Sequence, residues 1–125
     1  MIHLDTSVLI HALVPASPAD RLLRRWLGGG DRLAISAVAW AEFLCGPIGA
    51  SAVEAAAAIV GDILPFTAAD AETTASLFTL GGRRRGSLAD CMIAAAALHA
   101  GATLATMNGR DFKRFAAAGL AIVEP

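Results

Sequence analysis

Three acidic residues stand in apolar stretches of this chain. Asp5 ends the run Ile2-His3-Leu4, Glu42 lies within Ala37 to Leu44, and Asp90 precedes Cys91 to Leu98. An ionised carboxylate is costly to bury alone, so such a group loses its charge or acquires a partner. Glu42 has Val38, Ala39, Cys45 and Gly46 at helical spacing, and no lysine or arginine among them. Three such acids, far apart in sequence, suggest one shared counter-charge, and a divalent metal ion is the simplest candidate. Carboxylates brought close together raise one another's pKa unless a cation intervenes. Magnesium keeps several waters and binds through one or two carboxylates plus substrate phosphate. It lowers the pKa of a water and shields phosphate charge, so phosphodiester hydrolysis then needs no cysteine, serine or histidine.

Each acid also has a purely structural reading. Asp5, followed by Thr6 and Ser7, has the form of a helix N-cap. Ser87-Leu88-Ala89-Asp90 has capping-box spacing, with Ser87 as the cap. Glu42 can face solvent, because its alanine and glycine neighbours tolerate exposure. His3, His11 and His99 read as structural, His99 at the negative end of its helix. Trp26 and Trp40 read as packing residues. Cys45 and Cys91, both in apolar helical patterns, read as two buried thiols.

The elements that must position these groups alternate. Strand-like runs cover Ile2 to Leu4, Leu33 to Ser36, Ile63 to Phe66, Thr103 to Thr106 and Ala121 to Glu124. Between them lie helical patterns at Thr6 to Val14, from Pro18 to the triple glycine at 28–30, around Glu42 up to Gly46-Pro47, at Ala50 to Val60, Ala68 to Leu80, Ser87 to Gly101 and Asp111 to Ala118. This alternation predicts an α/β fold, a three-layer α/β/α sandwich around a mostly parallel sheet of about five short strands. In such sheets the ligand site lies at the carboxyl ends of the strands, where strand order reverses. Asp5 and Asn108 each follow the carboxyl end of a strand.

The 125 residues suit one domain over 1–125. A net charge of −1 excludes a globally basic nucleic-acid magnet, but Arg83, Arg84 and Arg85 form a local basic loop between glycines. Arg110, Lys113 and Arg114 extend that basic track. Two cysteines make no disulfide framework or zinc site, which fits a reducing cytoplasm. The most apolar stretch, Cys91 to Met107, is broken by His99 and Gly101, so no membrane span is expected.

Four stretches carry a family resemblance across nearly the whole chain. Met1-Ile-His-Leu-Asp-Thr-Ser-Val-Leu-Ile resembles the opening of PIN-domain nucleases, and Ser36-Ala-Val-Ala-Trp-Ala-Glu-Phe-Leu-Cys-Gly their second motif. Leu88-Ala-Asp-Cys-Met-Ile-Ala-Ala resembles the third, and Leu104-Ala-Thr-Met-Asn-Gly-Arg-Asp-Phe the fourth. Spacing and length look most like VapC, the ribonuclease toxin of VapBC toxin–antitoxin pairs. The resemblance implies a cytoplasmic endoribonuclease dependent on Mg2+, with Mn2+ able to substitute. Asp5 and Asp90 would be metal ligands. Glu42 would be a ligand, a water-orienting group or a general base. Many PIN domains carry an aspartate where this chain has Asn108, so Asn108 and Asp111 share the fourth role. Thr6 and Thr106 would hold the acids or a water, and Arg83, Arg84, Arg85 and Arg110 would meet RNA. The implied partners are a VapB-type antitoxin and a second copy of the chain, as a homodimer and, with antitoxin, a heterotetramer or larger. Val8, Leu9, Leu13, Leu22, Leu23 and Leu27 would form a groove for the antitoxin. Two rivals stand beside this reading. One is a degenerate PIN fold that only binds RNA or a partner. The other is an aspartyl-nucleophile phosphatase using Asp5, which would want a positioned lysine, and Lys113 is the only one.

Overall fold

Five short strands form one parallel sheet in the order β3-β2-β1-β4-β5, in a computed structural model that describes Met1–Pro125. They are β1 (Ile2–Leu4), β2 (Leu33–Ser36), β3 (Asp62–Leu64), β4 (Thr103–Ala105) and β5 (Ile122–Val123). Strand β1 sits in the middle, pairing Ile2 with both Leu33 and Thr103. All four residues of β2 are buried, as suits a parallel strand covered on both faces.

Helices α1 (Thr6–Ala12) and α2 (Pro18–Gly28) connect β1 to β2, and α3 (Ala37–Cys45) and α4 (Ala50–Val60) connect β2 to β3. The chain then returns across the sheet through α5 (Ala68–Leu80) and α6 (Leu88–His99) to β4. Helix α7 (Gly109–Phe112) and a 3-10 turn over Lys113–Ala118 lead to β5. Right-handed crossovers put the helices before β3 on one face and those after it on the other. Accordingly α1 packs on α2 and α3, while α5 lies along α6 and against the 3-10 turn. Strand order reverses between β1 and β4, so the switch point lies between Asp5 and the residues after Ala105.

Hydroxyl caps start α2, α3 and α5. The Asp20 amide donates to Ser17 Oγ, and the Ala39 amide to Ser36 Oγ. Thr67 and Asp70 form a reciprocal capping box on α5. Leu4, Leu9, Ile35, Phe43, Ile93, Leu104, Phe112 and Phe115 are buried in one core. Trp40 stacks on Phe43 at 5.2 Å between ring centroids, a packing role as expected. No helix is long and apolar enough to cross a membrane.

Several expectations need correction. Strand β3 stops at Leu64 rather than Phe66, because Pro65 has no N–H to extend a ladder. Helix α1 ends at Ala12, two residues early. Cys91 is buried, but Cys45, the last residue of α3, is exposed. The proposed apolar groove loses Val8, Leu9 and Leu23, which belong to the core; the exposed apolar residues here are Ile10, Val14 and Leu27.

Candidate active site

Asp5 closes β1 and is only 5 % exposed. It stands at the start of α1, yet its side chain caps no helix amide. Ser7 Oγ donates to Asp5 Oδ2 at 2.6 Å, and Thr106 Oγ1 donates to the same oxygen at 2.8 Å. Ser7 Oγ in turn accepts from the Met107 amide at 3.0 Å, and Thr106 Oγ1 from the Asn108 amide at 3.0 Å. Two hydroxyls and two backbone amides thus stitch the end of β1 to the end of β4. They fix one carboxylate oxygen and leave Oδ1 outside this network. Thr106, expected as a supporting residue, is thus placed directly against Asp5. Ser7 was not anticipated in it; the hydroxyl two residues after Asp5 was the available signal.

Glu42 does not share the buried setting that its sequence context suggested. It is exposed on α3, with Oε1 3.0 Å from Thr6 Oγ1, which also lies 2.9 Å from the Ala39 carbonyl. Thr6 has one proton to donate between these two acceptors. Its hydroxyl therefore ties the start of α1 to the acid-bearing turn of α3.

Asp90 sits half-buried in the first turn of α6. The capping-box reading fails here, because Ser87 Oγ donates to the Arg84 carbonyl at 2.6 Å instead of accepting from the helix. Asp90 lines a polar cleft of about 140 Å3 with Arg84, Arg85, Gly86, Ser87, Asp111 and Arg114. Burial raises its pKa, as do Asp5, Asp111 and Glu42, while Arg114 pulls the other way; the result is about 6. Asp5, Asp111 and Glu42 thus all stand near enough to act on Asp90.

The fourth motif divides its duties. Asp111 faces the cleft, whereas Asn108 is exposed and its side chain caps nothing. The Gly109 amide donates to Glu124 Oε1 at 2.7 Å. A Cβ at Gly109 would come within 2.1 Å of that oxygen, so the carboxylate occupies the space that glycine leaves. Of the basic residues, Arg84, Arg85 and Arg114 line the cleft; Arg83 and Arg110 do not. Lys113 is exposed and outside that lining, which disfavours the phosphatase rival.

No three acid, imidazole or thiol side chains stand close enough together to hold one ion. The donor set still fits a hard divalent cation in kind. It consists of carboxylate oxygens, and magnesium needs only one or two of them. Asp5 and Asp90, with Asp111 and Glu42 beside them, are the residues present to hold it.

Comparison with known proteins agrees with this fold. The crystal structure of FitAcB from Neisseria gonorrhoeae matches with 28 % identity and a TM-score of 0.69, over 98 % of this chain and 96 % of that one. VapBC2 from Rickettsia felis, bound to a DNA fragment from its promoter, matches with 23 % identity and a TM-score of 0.78, over 100 % and 99 %. A toxin–antitoxin complex from Klebsiella pneumoniae matches with 24 % identity and a TM-score of 0.72, over 90 % of each chain. No curated protein matches the chain. The PIN domain model matches residues 2–118, from the first strand through the 3-10 turn that follows the fourth motif. With nearly its whole length matched by that model, the chain belongs to the PIN-domain family.

Proposed function

We propose that this chain is a metal-dependent endoribonuclease, the toxin of a toxin–antitoxin pair, hydrolysing RNA phosphodiester bonds with an activated water. One arrangement supports the reading: Asp90 shares a polar cleft with Asp111, Asp5 closes the central strand at the switch point, and burial first, then Asp5, Asp111 and Glu42, raise the pKa of Asp90 to about 6. That frustration is what a cation relieves. Asp5 and Asp90 are the ligands, and Asp111 takes the fourth acidic role in place of Asn108. A bound Mg2+, or Mn2+ in its stead, supplies charge neutralisation for the phosphate and acidifies a water. The chain's own groups do the rest. Ser7 and Thr106 hold Asp5 in one orientation, so its free oxygen points consistently. Glu42, open to solvent and steadied by Thr6, orients the attacking water or takes its proton. Arg84 and Arg85 draw the RNA backbone to the rim.

The likeness to a toxin–antitoxin complex supports an antitoxin as the natural partner, with the toxin as a homodimer and a larger assembly with antitoxin. Cys45 and Cys91 remain free thiols, which supports work in the cytoplasm. The decisive experiment is cleavage of single-stranded RNA in Mn2+ by purified wild-type and Asp5→Asn protein. Cleavage should fall to background in the variant while its melting curve stays cooperative. Full cleavage by the variant would refute the assignment. Calorimetric titration with Mn2+ separates the degenerate-fold rival, for which wild-type protein would take up the metal feebly.

A further inference from the structure

Arg114 is left over once the acids have their roles. It leaves the 3-10 turn, sets its guanidinium over the Phe115 ring at 4.6 Å, and passes under the turn at Gly81, where an added Cβ would lie 3.2 Å from its Cδ. Its Nε and Nη2 are buried and have no acceptor. These two nitrogens form one edge of the guanidinium, the edge that grips a carboxylate or phosphate with two parallel bonds. Buried donors without an acceptor cost free energy until one arrives. Asp90 and Asp111 line the same cleft, yet neither closes an ion pair with Arg114.

The surroundings of Arg114 suit an anion. Three arginines and a serine face two aspartates in a cleft with no hydrophobic residue in its lining. The cleft also adjoins the start of α6, whose first turn has no side-chain cap because Ser87 is turned toward Arg84. Free helix amides add to the pull on negative charge there. If the acids hold the cation, the arginines remain uncompensated.

We propose that Arg114, with Arg84 and Arg85, forms a phosphate-binding wall across the cleft from Asp90 and Asp111, and that this wall holds a phosphate of the RNA strand next to the one being cleaved. The inference rests on the nuclease reading for the identity of the strand. Its geometry predicts that the guanidinium fork, more than the charge, provides the grip.

The test uses the whole chain with Arg114→Gln and Arg114→Lys. Binding of a short single-stranded RNA is followed by fluorescence anisotropy in EDTA across a salt series, and cleavage is followed in Mn2+. Arg114→Gln should weaken binding about tenfold and reduce the salt slope by about 0.7, the share of one phosphate on a single strand. Arg114→Lys should keep the slope and recover only part of the affinity. In cleavage, KM should rise more than kcat falls. Wild-type affinity in Arg114→Gln would overturn the inference. If that variant does not fold, Arg114→Lys decides: affinity equal to wild type overturns the fork, and a loss at unchanged salt slope upholds it. Wild-type protein that binds RNA through Arg114 without cleaving it would leave the wall standing and remove the nuclease reading. Cleavage with KM indifferent to Arg114 would do the reverse.

Discussion

Helix α6 carries an aspartate problem at each end, solved in opposite ways. At its C-terminus, His99 Nδ1 meets Asp70 Oδ1, and Thr73 Oγ1 lies 3.0 Å from His99 Nε2. Asp70 is 4 % exposed, and burial alone would raise its pKa. The Thr67 amide, the His99 ring and the Thr67 hydroxyl more than offset this, and its pKa lies below the usual carboxylate value. At the other end, roughly 13 Å along the axis by the rise per residue, burial raises the pKa of Asp90, and nearby acids, in place of donors, raise it further. The contrast separates two uses of a partly buried carboxylate. A structural aspartate gathers every donor within reach. Asp90 is left short of them, and under the metal-dependent reading that shortage is what a cation or a substrate would fill.

The sharpest way to break this comparison is Asp90→Asn. Cleavage should drop to background, yet the metal-free protein should become more stable above pH 6. The sign follows from linkage. Folded Asp90 holds its proton to about pH 6, against 3.8 for an ordinary aspartate, so wild-type stability falls as pH rises through that window. Allowing for solvent screening at this half-buried site, the gain should be about 1 kcal/mol. His3 opposes Asp90 over nearly the same range. Both of its ring nitrogens are buried without partners, and burial lowers its pKa from 6.5 to about 4 against the pull of Asp70. The unfolded chain therefore takes up a proton first, and His3 costs stability as pH falls from 6.5 toward 4. Removing Asp90 should leave that acid-side loss steeper. Thermal melts in EDTA from pH 4 to pH 8 would show both effects, and a lower melting temperature for Asp90→Asn at pH 8 would end the comparison.

Asp70→Asn should do the opposite at the far end of the helix. It removes a buried charge-assisted contact and half of a capping box, so a loss of about 2 kcal/mol is expected in urea unfolding at pH 7. The kcat for RNA should not move. A stability change within error would mean that the His99 contact contributes nothing. The smallest effect belongs to Thr106→Val. It takes one of two hydroxyls from Asp5 and should slow cleavage about tenfold, the scale of a lost outer contact to a ligand, at a cost of about 1 kcal/mol. Unchanged cleavage would show that Ser7 alone orients Asp5.

The strand–helix alternation and the four acidic motifs were legible because they depend on local pattern, and the sheet order places them as that pattern requires. Exposure was harder to read. In α3 and α6, alanine tolerates either side of the helix, so Cys45 read as buried and Glu42 read as sheltered. Helix α6 is buried almost all round from Cys91 to Ala97, which leaves no polar face to mark its orientation. Ser87 misled for a different reason. The capping pattern was present, but the Arg84 carbonyl captured the hydroxyl first. Ser7 and Arg114 could not be placed from sequence, since their meaning comes from residues on other elements. For Asp70 half the story was visible in Thr67-x-x-Asp70; the His99 half lies 29 residues away.

The bond from Thr106 to Asp5 spans 101 residues of chain, and that from Met107 to Ser7 spans 100. Strand β1 is made before β4 and waits for it before its aspartate is steadied. Contacts of such long sequence separation are paid in loop-closure entropy and form late. A nascent chain that stops before β4 would carry Asp5, Glu42 and Asp90 without the Thr106 hydroxyl, so Asp5 stays unsteadied until the strand beside it has been made.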